Sequence, residues 1–487
     1  MRAGFDAPPT EIKASQLADY YGLRWFHVYL LLTISLTVAA SAAMLGSTPY
    51  MLDAIIYEFG ISDEVAPLAM SMVFVGSILG VFCGGRLSDV IGRRNAMAVS
   101  LLTLMTLALL HLVIPHRCGF TVLLAIRLII GIPYGGLLAQ QMPTIMEYFP
   151  DYARGTAATL SGIGWNAGNL YLLTFMPVSG HATRHWRFYF SFGPVVPCLV
   201  CLVMLYFVPE SPRWLLTQGL AKDAQDSLTV ILTSMPVMGT APVGPAPRID
   251  TTDLDKLGTS SLAQLSTTKS IELLFSKRLW WVTVALSLLY GFFAGPSNVI
   301  FNWGPRIVEE VMGVDPGADF FRIAEYFGMA GTLASVVLID QVSRRGLLAA
   351  SFVLAAICYM ALVMRGFHFD SVVVAWALRN FFDCLLWSVV TVFMSEVFPT
   401  ILRGTGSGAV MVLGRATSVF MPVLAGVWIS ESVNAVLVAT AISSGVCALL
   451  TMTIPRDLTC QPMDDAVILD DAAHMPLKSS MNSDYNP

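Results

Sequence analysis

Long apolar stretches separated by short polar connections dominate the chain. A helix that crosses a lipid bilayer needs about 20 mainly apolar residues, and twelve stretches of this kind can be counted. They begin near residues 26, 66, 95, 120, 156, 188, 279, 319, 347, 371, 405 and 433. The pattern predicts an all-α integral membrane protein with twelve transmembrane helices.

Two polar motifs interrupt this pattern, and each occurs twice. The first motif joins the second and third apolar stretches, and it recurs about 250 residues later. Its two copies contain Asp89, Gly92, Arg93 and Arg94, and then Asp340, Ser343, Arg344 and Arg345. The second motif contains Glu147 and Arg154, which recur 249 residues later as Glu396 and Arg403. Two signatures with a common offset indicate two pseudo-symmetric six-helix bundles derived from one unit.

The polar segments divide the chain into five parts. We expect a cytoplasmic N-terminal segment over residues 1–25, one bundle over 26–208 and a second bundle over 279–455. Residues 209–278 form a cytoplasmic central loop, and its stretch from Pro236 to Gly258 is typical of a mobile linker. The tail over 456–487 is acidic, and we expect it to be a disordered cytoplasmic segment.

Composition supports a membrane protein and argues against other classes. The chain is 55% hydrophobic and 13% charged, which leaves too little polar surface for a soluble globule of this size. It lacks a basic patch for nucleic acid, a zinc-ligand spacing and a nucleophile motif. We therefore expect no enzyme, cofactor, metal or nucleic-acid partner. Lys and Arg favour the loops on the N-terminal side, which predicts that both termini are cytoplasmic.

The motifs resemble those of the major facilitator superfamily. Gly85 to Arg94 is similar to that family's signature between helices 2 and 3, although Val336 and Ser343 replace the glycines in the second copy. The Glu147/Arg154 motif, its repeat and the segment Pro209 to Leu215 are similar to one branch of the superfamily. That branch contains sugar porters, organic cation and anion transporters, niacin transporters and synaptic vesicle glycoprotein 2.

The resemblance implies alternating access by a rocker-switch motion, in which two halves tilt around a central site. It also implies a gate made of ion pairs, which control opening and do not select the substrate. Exposed ion pairs are each worth only about 0 to 1 kcal/mol, so a network of them can hold one state and still break in every cycle. The expected gating residues are Asp89, Arg93, Arg94, Glu147, Arg154, Glu210, Arg213, Asp340, Arg344, Arg345, Glu396 and Arg403.

Ionisable residues inside the apolar stretches indicate the class of substrate, because such groups are costly in a membrane and usually face a cavity or a partner. Arg415 has no acid in the same helix before Glu431, so its guanidinium is a candidate for binding a carboxylate. The alternative is an ion pair with Asp383 across two helices. Arg379 lies four residues before Asp383 and can pair with it instead. Arg127 resembles a family arginine that often bonds backbone groups where helices pack, which implies a structural role.

Neutral side chains complete the expected binding site. In the fifth stretch, Trp165, Asn166 and Asn169 suit hydrogen bonding and stacking with a small solute. The alternative is that Gly164 and Gly168 only pack this helix against a neighbour, with the asparagines already bonded. The seventh stretch contributes polar and aromatic groups to a lining that suits a small molecule, namely Tyr290, Asn298 and Asn302.

These residues favour a secondary active or facilitative transporter of a small organic anion such as a carboxylate. An organic cation or a neutral nutrient such as a sugar is the alternative, although the stretch from Tyr290 to Asn298 lacks the paired glutamines of sugar porters. A non-transporting receptor or vesicle protein is the second alternative. Proton symport would have to use Asp383 or Glu325. We expect a multi-pass monomer in the lipid bilayer of the plasma membrane by default, with an intracellular membrane as the alternative.

Overall fold

The computed structural model describes most of the predicted membrane region. It describes residues 11–13, 20, 22–115, 119–175, 185–234, 248–250, 272–276, 279–339, 341–364, 369–398 and 403–454. The predicted acidic tail and most of the predicted linker from Pro236 to Gly258 lie outside the described residues.

Helices form nearly all of the described structure. The first half contains α1 (Trp25–Phe59), α2 (Leu68–Ile91), α3 (Arg93–Leu109), α4 (Gly119–Tyr148), α5 (Asp151–Ser161), α6 (Ile163–Phe175), α7 (Trp186–Tyr206), α8 (Pro212–Thr217) and α9 (Ala221–Thr233). The second half contains α10 (Trp280–Met312), α11 (Gly317–Leu338), α12 (Arg344–Val363), α13 (Phe369–Val397), α14 (Arg403–Glu431) and α15 (Val433–Thr453). Outside the helices, strand β1 (Glu11–Lys13) pairs in parallel with β2 (Arg248–Asp250), with Glu11 opposite Arg248.

The helices account for all twelve predicted spans. Within the described residues, eleven helical segments are long and apolar enough to cross a membrane. The twelfth span is the consecutive pair α5 and α6, which meet at Gly162 and are each too short to cross alone. The prediction of an all-α membrane protein with twelve spans is therefore confirmed, and the short strand pair is an addition to it.

The two halves pack their helices in the same arrangement. In the first half α2 lies against α4, α1 against α6 and α7, and α3 against α7. The corresponding spans of the second half repeat these contacts, since α11 lies against α13, α10 against α14 and α15, and α12 against α15. The repeated packing agrees with the repeated motifs and supports two related six-helix units.

Glycines allow the closest of these helix contacts. A Cβ added to Gly76 of α2 would lie 2.9 Å from the Cα of Gly131 in α4, and closer still to the Leu128 carbonyl. In α6 a Cβ on Gly168 would lie 2.8 Å from Ala39 Cα in α1. Small residues let helix backbones approach in this way inside membranes. The proposed packing role of Gly164 and Gly168 is therefore observed.

The beginning of the central loop packs on the first half. The Ser211 side chain caps α8 by accepting a hydrogen bond from the Trp214 backbone N–H. The Trp214 indole N–H in turn donates to the Asp89 carbonyl at 2.9 Å. Beyond α9, Arg24 donates to the carbonyls of Leu232 and Ser234 at 2.9 and 2.8 Å. Residues up to Ser234 thus belong physically to the first half.

Candidate functional site

The predicted gating residues of the first motif copy form a connected cluster. We call this side of the protein the motif end; it carries Asp89, Arg93 and Glu147. Arg93 bridges the Glu147 carboxylate at 2.7 Å and the Asp89 carboxylate at 2.6 Å. The Arg93 and Glu147 side chains are only 13% and 11% exposed, whereas Asp89 is 71% exposed. The expectation of a network of exposed pairs therefore does not hold for Arg93 and Glu147, because the Arg93 guanidinium turns inward to Ser88 of α2 and Glu147 of α4.

Backbone groups satisfy several other predicted gating residues. The Glu210 carboxylate accepts hydrogen bonds from the backbone N–H groups of Arg93 and Arg94, at 2.8 and 3.2 Å. Arg94 donates to the Leu205 carbonyl, and Arg154 donates to the Phe149 carbonyl. These contacts join the start of α3 to the end of α7, and the start of α5 to the end of α4.

The remaining predicted gating residues are less informative. Arg213 is exposed, and no hydrogen bond or ion pair joins it to the cluster among the described residues. In the second motif copy, Arg345 donates to the Met452 carbonyl, and Arg344 begins α12. Asp340 and the side chains of Glu396 and Arg403 lie outside the described part of the structure.

A cavity of about 320 Å³ lies between the two halves. Eight of the nine predicted substrate-binding residues line it, namely Trp165, Asn166, Asn169, Tyr290, Asn298, Arg379, Asp383 and Arg415. Asn302 does not line it, because it is buried and its amide donates to the Asn298 carbonyl at 2.7 Å. The volume lies in the range of sites that enclose small organic molecules.

Arg415 lies on the α14 wall of the cavity. It is partly buried, and Tyr134 and Tyr290 are its neighbours. The adjacent Gly414 leaves room for the Tyr290 ring, since a Cβ at that position would collide with the ring atoms Cδ1 and Cε1. Within the described residues, no carboxylate lies within ion-pair distance of Arg415. The alternative pairing with Asp383 is not observed.

Asp383 and Arg379 lie on the α13 wall. Both Asp383 oxygens accept from the Ser297 hydroxyl, at 3.1 and 3.0 Å, and the Trp387 indole N–H donates to the same hydroxyl at 3.3 Å. Arg379 is only 6% exposed; it donates to Asn380 and stacks 4.7 Å from the centre of the Trp376 ring. Arg379 acts electrostatically on Asp383. It does not form the predicted close ion pair with Asp383 among the described contacts.

Glu325 of α11 is the main cavity residue outside the predicted substrate set. Its carboxylate accepts hydrogen bonds from the side-chain amides of Asn166 at 2.9 Å and Asn169 at 3.3 Å. The asparagines were expected to face a solute, but in this conformation their N–H groups are used by Glu325. The signal for Glu325 in the sequence is an acid within an apolar span, which identifies a site without identifying its partners.

Contacts between the halves close the cavity on the side away from the motif end, which we call the opposite end. Arg306 of α10 forms an ion pair at 2.7 Å with Asp63, which lies between α1 and α2. Arg322 donates to the Leu173 carbonyl at 2.8 Å, and the rings of Tyr50 and Phe321 meet edge to face. In the other direction the lining continues along α4 through Gln141 and Met142, toward the motif end.

Acid should weaken the closure at the opposite end. The hydrogen bond from Arg306 lowers the pKa of Asp63, so the pair contributes stability above the ordinary pKa of aspartate. That contribution is lost as the pH falls through the lowered value. Because both side chains are about one third exposed, it is at most about 1 kcal/mol. Thermal unfolding midpoints of the wild type should fall more steeply in acid than those of Asp63→Asn, and Glu64→Gln should follow the wild type. Parallel curves for the wild type and Asp63→Asn would contradict this.

The chain is similar to known membrane transporters. Residues 28–455 match the family described as "Sugar (and other) transporter". Niacin transporter NiaP of Acinetobacter baylyi is 24% identical over 413 residues, which cover 82% of this chain and 86% of that protein. Sugar transporter ERD6-like 8 of Arabidopsis thaliana is 30% identical over 384 residues, covering 74% and 76%.

A solved structure shows the same architecture. The inward-open xylose transporter XylE of E. coli superposes with a TM-score of 0.70 at 18% identity, covering 88% of this chain and 96% of that one. The family and the fold are those of transporters. The chain therefore belongs to the sugar (and other) transporter family of the major facilitator superfamily, as a multi-pass membrane protein that transports sugars or other small organic solutes.

Proposed function

We propose that the transported solute is a small organic anion whose carboxylate binds Arg415. The main supporting observation is that the Arg415 guanidinium lies at the cavity wall and has no carboxylate within ion-pair distance among the described residues. A positive charge in a membrane protein is costly without a partner, and a guanidinium can bind a carboxylate through two parallel hydrogen bonds. The carboxylate of the solute would supply the missing negative charge.

The surroundings of Arg415 suit a small and partly aromatic solute. Asn298 and Ser418 lie on the same side of the cavity and are bonded to each other at 3.0 Å. Trp165 and Phe301 form an aromatic wall, with ring centres 5.7 Å apart. Niacin, named for one relative, is itself a small aromatic carboxylic acid. This combination of one cation, sparse polar groups and aromatic faces is typical of small-molecule sites.

We further propose that the two halves, bounded by residues 26–208 and 279–455, alternate by a rocker-switch motion. The described conformation is closed at the opposite end by Arg306, Asp63 and Arg322, which supports an inward-facing state if the motif end is cytoplasmic. Both termini would then be cytoplasmic, and a monomer in the plasma membrane remains our expectation.

Asp383 favours a second candidate, an organic cation or a neutral polar nutrient. Its carboxylate lines the cavity beside Trp387, whose ring packs 5.9 Å from Tyr290. A carboxylate near aromatic faces can bind an ammonium group. Because one relative is named as a sugar transporter, a neutral solute is also a candidate.

Ligand-induced thermal stabilisation of the purified protein distinguishes these candidates, since a ligand that binds only the folded state raises its apparent stability. The panel contains carboxylates, amines, sugars and nucleosides. We expect stabilisation by carboxylates and about ten- to hundredfold weaker binding by Arg415→Ala, which corresponds to a charged hydrogen bond of about 1.5–3 kcal/mol. Arg415→Lys should be intermediate, because it keeps the charge and loses the paired geometry.

The matched control is Arg86→Ala, which removes an exposed arginine outside the cavity and should leave carboxylate binding unchanged. Stabilisation by amines or sugars that survives in Arg415→Ala would refute the anion proposal. Loss of that stabilisation in Asp383→Asn would support the second candidate.

A further inference from the structure

We propose that Glu325, Asn166 and Asn169 form a proton-operated latch between the two halves, and that proton binding to Glu325 loosens the closure at the opposite end. The inference rests on the proposed alternating access, and it concerns how that motion is controlled. It does not depend on which solute is carried.

The latch connects helices of different halves. Glu325 belongs to α11 of the second half, whereas Asn166 and Asn169 belong to α6 of the first half. Both asparagines are almost completely buried, and both donate to the one carboxylate. Gly328, one turn after Glu325, makes room for Asn166, since a Cβ there would collide with the Asn166 amide. These bonds can persist only while α6 and α11 lie together.

The asparagines are suited to both protonation states of Glu325. The carbonyl oxygens of Asn166 and Asn169 are buried and have no hydrogen-bond partner among the described residues. An ionised carboxylate only accepts hydrogen bonds, so it needs the two amide N–H groups that it has. A protonated carboxyl group needs one donor and one acceptor. Rotating either amide end for end would supply that acceptor from an oxygen that is otherwise unsatisfied.

Protonation should weaken the latch. Hydrogen bonds to an ionised carboxylate are roughly twice as strong as those between neutral groups. A proton taken from cavity water would neutralise Glu325, and its later return to water would restore the charge. Glu325 lines the cavity, and the cavity lining continues toward the motif end, so water can deliver the proton without passing the closed end.

The other charged and titratable groups near Glu325 set its electrostatic environment. From α13, Arg379 favours the ionised form, while Asp383 opposes it and Cys384 lies beside Asn166. From α1, Tyr50 faces the carboxylate. Arg322 on α11 itself is bound to Asp319 and to the Leu173 carbonyl.

The last helix packed against α11 is α5. Its Arg154 lies at the motif end beside Phe149, away from Glu325. Asp383 is the matched acid for comparison with Glu325. It faces the same cavity, but its carboxylate accepts a hydrogen bond from Ser297 within its own half.

The test measures the distance between the halves at the opposite end without any solute. Spin labels are placed at Tyr57→Cys of the first half and Val314→Cys of the second, which are 92% and 56% exposed. Cys83, Cys118 and Cys460 are replaced by Ser. In the otherwise wild-type protein, lowering the pH from mildly alkaline to mildly acidic should increase the population with the longer label distance. Glu325→Gln should show that population at every pH, and Asp383→Asn should keep the pH response.

A wild-type pH response that persists in Glu325→Gln, or that disappears in Asp383→Asn instead, would overturn the latch. If the Glu325→Gln protein is not monodisperse, Asn169→Ala tests the proposal instead, because it removes one hydrogen-bond donor and keeps the Glu325 carboxylate. It should increase the longer-distance population at alkaline pH and retain the pH response; an unchanged distribution would also overturn the proposal. Because no solute is present, failure here leaves the anion proposal intact, and failure of the binding panel leaves the latch intact.

Discussion

Replacing Gly131 by Leu should abolish most of the correctly folded protein. Gly131 in α4 faces the backbone of α2, and a Cβ there would lie 2.7 Å from Gly76 Cα. The obstructing atoms belong to the main chain, so no side-chain rotation can relieve the collision. We expect a penalty of about 3 kcal/mol or more, at the upper end of the range for overpacked cores. The measurements are the monodisperse yield by size-exclusion chromatography and the thermal unfolding midpoint.

The control for this prediction is Gly445→Leu in α15. It makes the same chemical change in a helix, but no atom lies within 4 Å of a Cβ at that position. Its yield and unfolding midpoint should stay close to the wild type. A Gly131→Leu protein with a wild-type midpoint would show that α2 and α4 are not in backbone contact.

Removing the Arg93 side chain should destabilise the motif end strongly. Arg93→Ala would leave the Glu147 carboxylate, which is only 11% exposed, without its cation. Breaking a fully buried pair in this way typically costs about 3–5 kcal/mol, and the cost here should approach that range. Arg93→Ala/Glu147→Ala should be less destabilised than Arg93→Ala, because no buried charge is left alone. Chemical or thermal unfolding of all three proteins measures these differences, and transport assays should show reduced exchange in Arg93→Ala.

Asp89 provides the internal comparison for this prediction. It binds the same guanidinium, but it is mostly exposed, so Asp89→Ala should change stability by about 0 to 1 kcal/mol. Equal effects of Asp89→Ala and Glu147→Ala would show that burial does not determine the strength of these pairs.

The fold was largely predictable because long apolar runs and a repeated motif are local signals. The break between α5 and α6 at Gly162 was not predicted, since the apolar run continues across it. Asn302 was assigned to the site as a polar residue of the seventh apolar stretch. It lies one turn after Asn298, whose carbonyl accepts its amide N–H. A four-residue spacing identifies a helix face, but it does not indicate how deep along that face a cavity extends.

The hydrogen-bond partners of the polar residues could not be predicted from the sequence, because they depend on how the two halves dock. Asn166 and Glu325 are separated by 159 residues in the chain, and nothing local to either one indicates the other. For Arg127 the sequence offered more, because it resembles a family arginine that often bonds backbone groups where helices pack. It stacks 4.0 Å from the centre of the Phe190 ring and reaches the Met44 carbonyl.

Two of the contacts that join the halves end on main-chain carbonyls. Arg322 donates to the Leu173 carbonyl, and the Ser71 hydroxyl donates to the Val419 carbonyl at 2.7 Å. Every residue has a carbonyl group, so Leu173 and Val419 can change during evolution without loss of the bond. Correlated substitutions, which reveal contacts between side chains, should therefore miss these two contacts. An interface between the halves that is inferred only from correlated substitutions would therefore omit these two contacts and appear smaller than it is.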